Sequence, residues 1–174
     1  MDSAIVSFGA GLYWASMVGR PFMWGSEGAS GGFGAVFPAV LALAALGVAP
    51  FLTKRGLKFI SMGTLAFNIA ALVFTAVPGL SESSALVGAF SSLVLRLSSP
   101  LLMLMWGVQF ASVSRRQAFS EVILTVLISA AAFAGLVVVT AQFELARACF
   151  GVIDASMETL SSLLLVFAYR ARPV

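Results

Sequence analysis

Six apolar stretches alternate along this chain with short polar breaks, and most carry no charge in their interior. They run from about Ser3 to Gly19, Phe33 to Thr53, Leu57 to Val77, Ser84 to Val113, Phe119 to Ala141 and Leu145 to Tyr169. A hydrocarbon core of about 30 Å needs about 20 apolar residues in a helix. The first stretch barely meets that length and the others reach it. Strands of a membrane barrel would be about ten residues long and alternate in polarity. These stretches are about twice that length and apolar on all sides, so they read as helices. Apolar residues make up 60% of the chain and charged residues 10%, against about 45–50% and about 25% in a soluble domain. The mean hydropathy is +1.05. Too few charges are present to cover a water-soluble surface.

The basic residues sort by break. Lys54, Arg55 and Lys58 fall in the second, Arg115 and Arg116 in the fourth, and Arg170 and Arg172 at the C-terminus. In a six-span topology these three places share one side of the membrane. The opposite breaks hold Arg20 and Arg147 together with Glu27, Glu82 and Glu144. This is the positive-inside pattern, and it predicts both termini in the cytoplasm of an inner-membrane protein. The net charge of +3 is thereby explained as orientation, and no direct nucleic-acid binding is expected. Histidine is absent and Cys149 is the single cysteine, so no intrachain disulfide and no Cys/His metal site is expected. Met1-Asp2 opens the chain without a basic n-region, so the first span is expected to remain in the mature protein.

The breaks carry turn chemistry. Gly28-Ala29-Ser30-Gly31-Gly32 reads as a flexible outer loop, and Pro78-Gly79 as the stop of the third span. Ser81 or Ser83 can cap the fourth span, and Ser114-Arg115-Arg116-Gln117 resembles a capping box opening the fifth. With no long loop, residues 1–174 read as one integral membrane domain.

Three charges lie within the spans. Arg96 sits about 18 Å along the fourth span, near the bilayer centre, where an isolated charge costs several kcal/mol. Pro100, one turn later, cannot donate to the carbonyl of Arg96, and Ser98 and Ser99 add hydroxyls at the expected kink. Asp154 and Glu158 share one face of the sixth span, at depths of about 13 Å and about 20 Å. The depths match Glu158 to Arg96 as an ion pair, leaving Asp154 to titrate or to meet a cation. The structural alternative is a charge pair that only fixes helix packing. Asn68, midway along the third span, is expected to point inward, and Glu121 to satisfy the dipole at the start of the fifth helix. Tyr13, Trp14 and Trp24 read as interfacial or outer-vestibule aromatics, and Trp106, toward the cytoplasmic end of the fourth span, as an interface anchor. Gly11, Ala15 and Gly19, and likewise Ala131 and Gly135, form small-residue faces suited to close helix packing.

Two resemblances rest on these residues. Thr53-Lys54-Arg55-Gly56-Leu57-Lys58 is similar to the basic, glycine-containing motif between the second and third helices of major facilitator superfamily transporters. Thr53 stands where that motif has an aspartate. Arg96 resembles the arginine in the fourth helix of many such transporters, with Pro100 where a glycine is usual. The stretch Leu101 to Ser129 resembles the membrane half of membrane-bound LuxR-type transcription regulators. It does so through Leu102-Met103-Leu104-Met105-Trp106-Gly107, Arg115-Arg116-Gln117-Ala118 and Ser129. That family joins a facilitator-like, multi-helix sensor to a C-terminal helix-turn-helix.

The sequence-based expectation is therefore an all-α, polytopic membrane protein with six transmembrane helices, one half of a major-facilitator-like fold. The resemblance to the regulators implies a non-enzymatic sensor or binding module with no cofactor and a small-molecule ligand of unknown identity, a truncated or stand-alone sensor half. The alternative is a small proton- or ion-coupled transporter working as a homodimer of halves through Arg96, Asp154 and Glu158. In either case Gly11, Ala15 and Gly19 are a candidate dimer contact.

Overall fold

The computed structural model describes residues 2–30, 54–77, 79–80, 84–144 and 149–171. The second apolar stretch and Arg172 lie outside these residues. The described chain is helical throughout, without strands. Helix α1 covers Asp2–Ser30, α2 Lys54–Ala76, α3 Ala85–Ala111, α4 Arg115–Gln142 and α5 Phe150–Ala171. Among the described residues, three segments are long and apolar enough to cross a membrane: Gly56–Ala76, Arg115–Gln142 and Phe150–Arg170. Shorter apolar helical stretches are Ser3–Gly19 in α1 and Leu97–Ala111 in α3.

Local chemistry sets the helix ends. Ser84 is the N-cap of α3: its backbone is extended and its hydroxyl accepts from the Val87 N–H at 3.2 Å. The cap thus falls one residue beyond the expected Ser81 or Ser83, which lie outside the described residues. Ser114 caps α4 by accepting from the Gln117 N–H at 3.4 Å. The reciprocal half of the expected capping box is redirected, because the Gln117 amide donates to Glu121 instead, at 3.1 Å. The chain leaves α2 through Gly79 at φ +78°, a conformation that favours glycine. One expectation about breaks is corrected: the helix of α1 continues through Gly28, Ala29 and Ser30, so no loop begins at Gly28. Pro100 lies inside α3, within the span expected for it, and is buried.

Helix α1 is central, packing most extensively against α4 and α5; α5 packs in turn on α2, and α2 on α3. Although α4 follows α3 after a tight turn at Ser112, the two barely touch. Small residues on α1 explain this choice of neighbour. A Cβ at Gly11 would lie 2.6 Å from Ile128 Cγ2 and 3.2 Å from the Thr125 carbonyl oxygen, and one at Gly19 3.2 Å from Leu136 Cδ2. Gly11 and Gly19 thus pack against α4 of the same chain, the close approach within the bundle that small residues allow. Among the described residues, Gly135 has no neighbour within 4 Å of where a Cβ would stand.

The apolar core joins Val6, Ala10 and Tyr13 of α1 to Leu57 of α2, Leu102, Met105 and Trp106 of α3, and Leu165, Ala168 and Tyr169 of α5. These contacts put the start of α2 beside the ends of α3 and α5. Ser3 of α1 bonds Glu121 near the start of α4. Lys58, Arg115, Arg116 and Arg170 therefore lie at one end of the bundle, with the backbones of Lys54 and Arg55.

Candidate functional site

The buried face of α5 is built on i, i+3 and i, i+4 spacing. It presents Asp154, Glu158, Ser161 and Ser162, then Leu165, Val166 and Tyr169 toward the basic end. A uniformly apolar stripe would serve packing alone. Here, polar groups are concentrated where α5 crosses the middle of the bundle.

Asp154, Ser161, Ser162 and Tyr169 on this stripe are each tied to a neighbouring helix or to the backbone of α5 itself. Ser16 of α1 donates its hydroxyl hydrogen to Asp154 Oδ1. Asp154 is 4% exposed and Glu158 3%. The Ser161 hydroxyl donates to the Gly9 carbonyl at 2.6 Å and accepts from Trp106 Nε1 at 3.0 Å, which joins α5, α1 and α3 at one point. A Cβ at Gly9 would sit 2.5 Å from Trp106 Cζ2, so only glycine lets the indole reach this position. The Tyr169 hydroxyl donates to the Met105 carbonyl at 3.1 Å. On the α2 side, Thr159 Oγ1 lies 3.1 Å from the Asn68 carbonyl oxygen, and Asn68 Nδ2 donates to the Thr64 carbonyl at 2.9 Å. Asn68 is buried as expected. Its Oδ1 accepts no hydrogen bond among the described residues, a costly state for a buried amide oxygen.

On α3, Ser98, Ser99 and Pro100 are buried, and Ser99 Oγ lies 3.2 Å from Met17 Sδ. Arg96 is described as a backbone position in α3. The neighbouring contacts fix its depth. Ser16 is level with Asp154, Met17 with Ser99, and Gly9 with both Ser161 and the Trp106 ring. Arg96 is therefore closer in depth to Asp154 than to Glu158, which lies about one turn further toward the basic end. This revises the depth matching from residue counts, which assumed that α3 and α5 start level.

Three residues belong elsewhere than sequence reasoning put them. Tyr13 and Trp106 are 0% and 2% exposed and belong to the core, not to an interface; Trp14, at 39%, stays outside. Glu121 is 1% exposed and is an inter-helix node. Its Oε1 accepts from Ser3 at 2.9 Å and from Gln117 at 3.1 Å, and Ser7 donates to its backbone carbonyl at 3.3 Å. The signal was present in the i, i+4 pairs Ser3/Ser7 and Gln117/Glu121.

No family model, curated protein or solved structure matches the chain. Function has to be argued from this geometry. Two carboxylates buried on one helix face, amid hydroxyls from three helices, can hold a proton or a cation, and intramembrane acids of this kind mark ion and ligand pathways.

Proposed function

We propose that this chain is a non-enzymatic membrane sensor or binding module whose responsive element is the carboxylate face of α5. The reading is carried by the Ser16–Asp154 hydrogen bond, which crosses the seam between α1 and α5. A proton, cation or polar ligand that changes the charge on this face changes what holds α1 against α5, and such a two-state contact is what a sensor needs. The resemblance to the membrane half of LuxR-type regulators points the same way. The proposed setting is the cell inner membrane, crossed six times, with both termini and the basic end on the cytoplasmic side.

A second reading, an ion-coupled transporter built as a dimer of six-helix halves, is favoured by one observation. Polar groups recur along the depth of α5 at Asp154, Glu158, Ser161 and Ser162, as a relay would require. Reconstitution into vesicles separates the two. For a sensor, Trp106 fluorescence should respond to pH or to a cation, because its indole bonds Ser161 one turn from Glu158. Asp154→Asn with Glu158→Gln should abolish the response, and a trapped pH dye should show no proton flux under a gradient. Sustained flux that the same variants stop selects the transporter. A spectrum indifferent to pH and cations makes the carboxylates purely structural and defeats the sensor reading.

A further inference from the structure

Near the basic end, the outer surface between α1, α4 and α5 is indented by a groove of about 370 Å³ lined by Ala4, Ile5, Phe8, Leu124, Ile128 and Leu164. Its walls are hydrocarbon, and its volume falls in the range of small-ligand sites, about 300–1,000 Å³. Two walls lead to an exposed arginine. Arg116 precedes Leu124 by about 12 Å of helix, and Arg170 follows Leu164 by about 9 Å. The nearby carboxylate of Glu121 is buried, with Ser3 and Gln117 on its Oε1, so it is turned away from the two arginines. An apolar groove whose two flanking helices each carry an exposed arginine about 10 Å further along offers hydrocarbon to an acyl chain and positive charge to its phosphate.

We propose that this groove binds an anionic phospholipid, with one acyl chain along Phe8, Leu124 and Leu164 and the phosphate between Arg116 and Arg170. The site rests on the membrane reading above. Phosphate alone is common to all phospholipids. The preference for a net negative headgroup follows because a zwitterionic one brings its own cation to the two arginines.

The test uses the full chain with Cys149→Ser, reconstituted in neutral vesicles. One fluorophore is placed at Leu163→Cys, an exposed position beside the groove, and in a separate sample at Ile69→Cys, exposed on α2. Spin-labelled phosphatidylglycerol or phosphatidylcholine is then titrated in as quencher. At position 163 the anionic lipid should quench at a mole fraction lower by on the order of tenfold, from two arginines near the headgroup. At position 69 the two lipids should quench alike. Arg116→Gln with Arg170→Gln should equalise the lipids at position 163 while helicity and quenching at position 69 stay unchanged. Equal quenching by both lipids at position 163 of the parent, with normal quenching at position 69, overturns the site and leaves the membrane reading intact. Absence of quenching by either lipid at both positions overturns both.

Discussion

Ser16 and Asp154 are hydrogen-bonded across the α1–α5 seam with both side chains buried. The serine lies in α1, which packs most extensively against α4 and α5 and also meets α3, so a single hydroxyl links the buried acid to the centre of the bundle. Bonds to charged groups contribute about 1.5–3 kcal/mol in soluble proteins, and polar contacts between membrane helices average nearer 0.6. Ser16→Ala should therefore lower stability by about 1–2 kcal/mol in a detergent melt. Asp154→Asn, which keeps an acceptor for Ser16, should cost less than Asp154→Leu. Equal losses for the two would mean that the hydroxyl contributes nothing.

The Gly9–Trp106 contact predicts a size rescue. Gly9→Ala puts a methyl into the indole at 2.5 Å and should destabilise by about 1–3 kcal/mol, the usual cost of overpacking. Trp106→Phe, which withdraws the crowded ring atoms, should recover part of the loss when combined with Gly9→Ala. Additive melting shifts in the double variant would show that the clash is relieved elsewhere.

Gly11 faces Ile128 of the same chain. Gly11→Leu should accordingly lower the melting temperature whatever the oligomeric state, and Ile128→Ala should restore part of it. Chemical cross-linking with sizing provides the contrast: a variant that changes the oligomer while leaving the melt untouched would return this face to a dimer seam.

The helices were legible because hydropathy needs no knowledge of neighbours: α2, α4 and α5 follow the apolar stretches to within a few residues, apart from the start of α5. The burial of Asn68, Asp154 and Glu158 was legible for the same reason, since a polar group in an apolar helix has few other places to go. Depth was not. Counting from presumed helix starts ignores the axial offset between helices, which only cross-helix contacts such as Ser99–Met17 reveal. The same gap misplaced Tyr13 and Trp106, because an aromatic near a helix end is an interface residue or a core residue according to what stands opposite. Glu121 illustrates the limit on charges: the pairs Ser3/Ser7 and Gln117/Glu121 are readable along each helix, while the meeting of α1 and α4 that joins them is not.

A double-mutant cycle separates the two candidate partners of Arg96. On depth, Arg96→Leu should couple to Asp154→Leu more strongly than to Glu158→Leu. Each single change should cost on the order of 3–5 kcal/mol where the charge is fully buried, less where water reaches it. Thermal melts of the singles and doubles give both coupling energies. A larger coupling to Glu158 would restore the pairing inferred from residue counts, and additivity in both cycles would mean that Arg96 meets neither acid.

Orientation can be read from the basic end. Lys54, Arg55, Lys58, Arg115, Arg116, Arg170 and Arg172 lie in three breaks, and among the described residues these positions gather at one end of the bundle. Glu144 follows α4 at the other end. Lysine and arginine resist translocation, so the basic end should face the cytoplasm. Reporters fused after Lys58 and Arg116 should be active only in a cytoplasmic form, and reporters after Ser81 and Glu144 only in a periplasmic form. Because α1 and α4 run parallel, joined by Ser3–Glu121 at the basic end, the N-terminus should share the side of Arg116. A periplasmic signal after Arg116 sinks the topology. A periplasmic N-terminus beside a cytoplasmic Arg116 would instead break the α1–α4 pairing, and with it the explanation given for Gly11 and Gly19.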